Sequence, residues 1–152
     1  MMKSSWSRIL AVLSLLALSA PAMAADALPQ GYLPIGEVAH KLIDKGYDLR
    51  GLEMTHGYYM ALVHIDGDML RTLGVNPRTA EPLPPAFMGG KDIPEEFRPK
   101  VTAAEVLSIA AAHDIKDLAA LSLDDDVWVV EARNGGILRI DAMTGQPVSD
   151  KQ

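Results

Sequence analysis

The sequence predicts an α+β protein built from two repeated units, each one helix packed on a small antiparallel β-sheet. Two observations carry this expectation. Residues 33–83 and 101–148 show the same features in the same order: a helical stretch around Glu37-Val38 or Glu105-Val106, a strand containing Tyr58-Tyr59 or Val127-Trp128, a glycine turn, a short apolar strand and a closing turn. The apolar periodicity also switches in each segment from helical spacing to strict alternation, as a helix followed by half-buried strands requires.

Before the first unit, Lys3 and Arg8 precede an uncharged apolar run from Ile9 to Ala20, and Ala22-Met23-Ala24 places small residues where a signal peptidase reads them. This is a secretory leader, expected to be cut after Ala24, giving a periplasmic or secreted protein. The apolar run is too short to span a bilayer, which takes about 20 residues. Removing 24 of the 152 residues leaves 128. The leader holds two of the 14 basic residues and none of the 20 acidic ones, so the remainder carries a net charge of −8. Such a surface repels phosphate backbones and anionic lipid, arguing against nucleic acid or a membrane as partner. The chain has no cysteine, which excludes disulfides, thiol nucleophiles and thiolate metal sites.

The first unit is expected over residues 25–83. Ile35, Val38, Ala39, Leu42 and Ile43 form one apolar stripe on a helix, with Glu37, Lys41, Asp44 and Lys45 opposite and Gly46 as the stop. In the strand that follows, Tyr59, Ala61, Val63 and Ile65 point one way and Tyr58, Met60, Leu62 and His64 the other. Asp66-Gly67 marks a two-residue hairpin. Residues 84–100 contain Pro84, Pro85, Gly89, Gly90, Pro94 and Pro99 and read as a linker, with one helical turn at Glu95-Glu96-Phe97 and Phe97 tucked into the core.

The second unit spans residues 101–148, followed by a frayed tail over 149–152. Thr102 and Glu105 form a capping box at the start of a helix whose stripe includes Val106, Ile109 and Ala110. This helix is apolar almost all round and is expected to be the more buried of the two. Trp128, Val130 and Ala132 match the helix-facing set of the first unit, and Asn134-Gly135 marks a second hairpin. On the other face, Tyr58, Met60 and Leu62 form an apolar strip whose expected cover is the other unit or a partner.

In this order, the run Gly31-Tyr32-Leu33-Pro34-Ile35, Glu37-Val38, Lys45-Gly46-Tyr47, a Tyr-rich strand and Asn76-Pro77-Arg78-Thr79 resembles the PepSY domain. Thr102, Glu105-Val106, Val127 to Val130 and Asp141 to Val148 resemble it a second time. Two positions depart from the pattern: Ala80 stands where glycine is usual, and Pro34 where a hydroxyl cap is usual. The resemblance implies a regulatory or binding role without catalytic residues. PepSY units occur in propeptides of thermolysin-like secreted metalloproteases, which they are thought to restrain, and in small exported proteins. The implied partner is therefore a protein, with an exported protease the foremost class, and the chain is a monomer or a homodimer.

The chemistry-bearing residues are few. Ser108, Ser122 and Ser149 lie outside any nucleophile motif, and no glycine-rich loop joins a strand to a helix, so no enzyme and no cofactor is expected. Met60 and His64 share a strand face and are the weak candidates for a soft metal such as copper(I), as the alternative to protein binding. Against them stands the absence of any H-x-x-x-H pair or methionine array, with strand methionines serving as core filler. Asp124-Asp125-Asp126 lacks the alternate spacing and glycine of a calcium loop and reads as a hairpin turn. The partner-binding candidates are Tyr58, Met60 and Leu62.

Overall fold

The computed structural model describes residues 27–65, 67, 69–84, 93–94 and 97–149. The expected secretory leader, Asp66 of the expected first hairpin and Glu95-Glu96 of the expected helical turn lie outside the described residues. The elements are α1 (Ile35–Asp44), β1 (Asp48–Thr55), β2 (Tyr58–His64), β3 (Met69–Val75), β4 (Ile93–Pro94), α2 (Ala103–Ala112), β5 (Leu118–Asp124), β6 (Val127–Ala132) and β7 (Ile137–Asp141).

The expectation of two units, each with its own small sheet, is overturned. Among the described residues, every strand belongs to one antiparallel sheet in the order β4-β3-β2-β1-β5-β6-β7, six of full length with the two-residue β4 at the edge. The reason lies in β1 and β5, which the periodicity did not reveal. These strands pair with each other through Gly51↔Ser122, Leu52↔Leu121 and Glu53↔Ala120 and join both halves at the centre. Two half-sheets whose inner edges pair in this way cannot remain separate, because every unpaired edge leaves backbone polar groups without partners.

Each central strand carries a bulge that hides its alternation. In β1 the register to β2 shifts between Leu49 and Gly51, so Leu49 and Leu52, three residues apart, both face the helices. In β5 the register to β6 shifts between Leu118 and Ala120, and Leu118 and Leu121 share the buried face in the same manner. Spacing of three reads as helix, not strand.

Both helices contribute to one continuous core on this face. Ile35, Val38, Ala39 and Leu42 of α1 and Ala103, Val106, Leu107 and Ala110 of α2 are buried against Tyr59, Ala61, Val63, Leu121, Trp128, Val130 and Ile140. The second helix is not the more buried one. Its apolar circumference is largely alanine, and Ala111 and Ala112 are exposed. The capping box forms as expected: the Thr102 hydroxyl accepts from the Glu105 amide while the Glu105 carboxylate accepts from the Thr102 amide at 2.7 Å. Pro34 at the start of α1 supplies no such side chain. Phe97 packs against the core.

Two buried aromatics fix the sheet to the segments leading into the helices. The Tyr59 hydroxyl donates to the Leu33 carbonyl at 2.6 Å, and Trp128 Nε1 donates to the Val101 carbonyl at 2.9 Å. Each bond contributes about 1 kcal/mol net and removes the larger cost of a buried polar atom left unpaired. Burial pushes the Tyr59 phenol above its ordinary value.

The turns follow the local chemistry. His56 and Gly57, at φ 47° and 83°, make the two-residue connection of β1 to β2. The aspartate run Asp124-Asp125-Asp126 is a hairpin turn between β5 and β6, with Asp125 at φ 51°. Ala80 keeps the left-handed conformation, φ 61°, despite its side chain, and its amide donates to the Asn76 carbonyl at 2.8 Å.

A single sheet with one core unfolds as one unit. Calorimetry is expected to give one transition, with Trp128 emission and hydrogen exchange of β2 amides sharing its midpoint. Leu121→Ala, at the central seam, should lower the stability of both halves together by about 2–5 kcal/mol. Separate midpoints for the two probes would contradict this.

Acid should also weaken the fold. The Thr102 amide and hydroxyl hold the Glu105 carboxyl below its ordinary value of 4.5, and the Met143 and Thr144 amides hold Asp141 below 3.8. Lowered folded-state values mean that the stabilisation is complete above those ordinary values and is lost as pH falls through the folded-state ones. Urea midpoints should therefore decline on acidification below about pH 4.5. The double variant Glu105→Gln, Asp141→Asn should show a shallower decline.

Candidate functional site

Among the described residues, no helix packs on the opposite face of the sheet. Strand alternation and the pairing register lay out its rows. One row runs Gly74, Met60, Glu53, Ala120, Glu131 and Ile137 across β3, β2, β1, β5, β6 and β7. The next runs Thr72, Leu62, Gly51, Ser122, Val129 and Arg139. Large side chains stand towards β2, while Gly51, Ala120 and Ser122 form a low centre. The result is a hollow of about 330 Å³, lined by Arg50, Glu53, Met60, Leu62, Thr72, Ser122 and Glu131 among others.

Sequence alternation placed Tyr58, Met60 and Leu62 on this face, and there they lie, each half-buried. Met60 and Leu62 line the hollow; Tyr58 stands beyond it, opposite Thr55 near the β1–β2 turn. The other half of the chain does not cover them. It extends the same sheet sideways, so the second half's outer face lies beside the first rather than on top of it.

Arg50 is the feature that sequence reasoning missed. As the extra residue of the β1 bulge it is swung onto the helix-free face, where it is buried to 6 % exposure at the edge of the hollow. Its Nη2 donates to Asp48 Oδ2 at 2.9 Å, and His64 Nδ1 lies 3.3 Å from the same oxygen. His64 Nε2 in turn meets the Gly67 carbonyl. Both imidazole nitrogens are thus engaged by protein oxygens, and Met60 and His64 do not present a vacant pair of donors. Among the described residues, no three His, Asp or Glu side chains gather as a metal cage. Asp141 Oδ1 accepts from the Met143 and Thr144 amides, both at 2.8 Å, and so serves its own turn.

A second hollow of about 490 Å³ lies between the helices, lined by Gly36, His40, Lys41, Leu107, Ala111 and Lys116 among others. Lys41 there faces Glu37 at 4.0 Å across an exposed helix turn, a weak surface pair. This hollow holds none of the predicted site residues, and its polar side chains, Glu37, His40, Lys41 and Lys116, are all exposed, so the sheet-face hollow is the stronger candidate.

The fold and this face define a single-sheet α+β protein with an exposed, mixed apolar and acidic surface. No protein-family model matches the chain, and no curated protein matches it significantly. Among solved structures it is similar to a Clostridium difficile 630 protein provisionally classed as a lipoprotein. That similarity has 13 % identity and a TM-score of 0.40, and it covers 78 % of this chain and 91 % of the other.

The Asp48 carboxylate is the joint of the Arg50–His64 cluster. Asp48→Ala should destabilise the fold by about 1–3 kcal/mol, because it takes a charged hydrogen-bond partner from a buried guanidinium. Asp48→Asn should recover part of that loss. Denaturant titration of both variants checks the order.

Proposed function

We propose that this chain is an exported, non-catalytic binding protein that holds a protein partner on the helix-free face of its sheet. The observation that carries the reading is the half-buried strip of Tyr58, Met60 and Leu62 beside an open hollow, on a face that no other element occupies among the described residues. The N-terminal leader supports export, and the net acidity supports a protein partner over nucleic acid or lipid.

The sheet edges support a face-on mode. Pro82 pairs opposite Val75 on the outer edge of β3, and the Leu83 amide donates to Gly74 at 2.8 Å. Pro147 pairs opposite Ile140 on the outer edge of β7, and the Val148 amide donates to Arg139 at 2.9 Å. With β4 against Met69 and Leu70, much of each outer edge is already covered by short, proline-bearing segments. Strand addition by a partner is thereby disfavoured.

The resemblance to PepSY units narrows the partner to an exported protease, restrained by occlusion and not by chemistry at this chain's own residues. At micromolar concentration the exported form should slow a thermolysin-like metalloprotease, or recover a protein partner by affinity capture. Tyr58→Asp with Leu62→Asp should abolish either interaction while circular dichroism stays native. An interaction that survives both substitutions removes this face as the site.

A further inference from the structure

The row containing Glu53, Ala120 and Glu131 says more about what the face would hold. Glu53 lies opposite Ala120, and Ala120 opposite Glu131, so two exposed carboxylates flank one methyl group across three neighbouring strands. Strands about 4.8 Å apart put the two glutamate backbones about 10 Å apart, a gap that one cationic head spans from above. Neither carboxylate makes an ion pair with a described residue. The buried Arg50 is drawn to Asp48 instead.

The next row, about 7 Å along the strands, brings Gly51 and Ser122 beside Leu62, and Met60 of the first row lines the same hollow. Here the surface is low and one wall is apolar. Side chains at i and i+2 of an extended chain are separated by this same repeat and emerge on the same side. An extended segment lying along β1 and β5 would set one side chain over Ala120 and the next over Gly51.

Resting on the binding reading above, we propose that the face recognises an extended protein segment of the form basic-x-apolar. The lysine or arginine head sits between Glu53 and Glu131, its aliphatic stem lies against Met60, and the apolar side chain fills the hollow over Gly51 beside Leu62. A cation with an apolar stem suits this mixed wall, since it keeps its charge in water while burying its methylenes. The acidity of the exported chain favours approach of such a segment.

A cellulose-bound array of ten-residue peptides tests this, with Lys, Arg, Asp, Glu or Ser at one position and Leu, Phe or Ser two positions on, probed with the exported form. Binding should concentrate on Lys or Arg followed by Leu or Phe. Glu53→Lys with Glu131→Lys should weaken it about tenfold, the worth of two partly exposed ion pairs. The same variant should gain binding to the Asp and Glu peptides, a swap that misfolding cannot produce. Equal capture of apolar peptides whatever their charge, lost in the Tyr58→Asp, Leu62→Asp variant, would overturn the basic-x-apolar assignment and leave the docking face standing. Silence across the array from a chain that still captures a protein through this face would likewise overturn the assignment. Capture that neither pair of substitutions alters would overturn both.

Discussion

The antiparallel pairing of β1 with β5 is the constraint on which the rest of the molecule depends. Only three register pairs form it, yet they lie at the middle of the sheet and convert two sets of strands into one surface. On one side, Leu52 and Leu121 meet across the seam, and the core contributed by α1 and α2 becomes continuous through them. On the other, Gly51, Ala120 and Ser122 sit in the seam and leave the low centre of the open face. Core and candidate site are therefore two sides of the same hydrogen-bonded ladder.

A sheet joined at its centre still has two outer edges, and these carry the hazard of pairing with another chain. Here the outer strands are blunted by backbone pairs from Pro82 and Pro147 and by the short β4. Proline suits these places because it has no amide to offer to a further strand. With the edges partly occupied and one face under helices, the large surface left open among the described residues is the helix-free face. Its half-buried apolar side chains are compatible with solubility because Glu53, Glu131 and Asp124 stand exposed among them.

Much of the local structure was legible in the residues. The stripe Ile35, Val38, Ala39, Leu42 became the buried face of α1, the Thr102–Glu105 box capped α2, and alternation assigned Tyr59, Ala61 and Val63 to the core and Met60 and Leu62 to the other side. What alternation could not reveal were the two central strands, and the cause is physical. The bulges at Arg50 and Ala119 put Leu49 with Leu52 and Leu118 with Leu121 on one face at a helical spacing. Charges at Asp48, Arg50 and Glu53 and a leucine-alanine composition in β5 also run against strand preference, which long-range pairing overrode. With those strands unread, the floor of the hollow was invisible: alternation put Met60, Leu62 and Glu131 on the outer face, but not Gly51, Ala120, Ser122 or the Glu53 carboxylate on the unread strands.

Gly51 bears on whether that hollow is only a by-product of packing. Its backbone is not in the positive-φ region that calls for glycine. A methyl group built there would meet the Leu121 carbonyl oxygen at 3.4 Å and Leu62 Cβ at 3.6 Å, which are ordinary contacts. Neither conformation nor crowding, then, demands the missing side chain. Glycine in a strand interior costs about 0.5–1 kcal/mol relative to alanine, through the extra freedom of the unfolded chain. A fold without disulfides, held by one seam and one core, carries that cost at the centre of its widest open surface. Packing alone would favour a side chain at this position, whereas a surface that must admit a partner's side chain favours its absence.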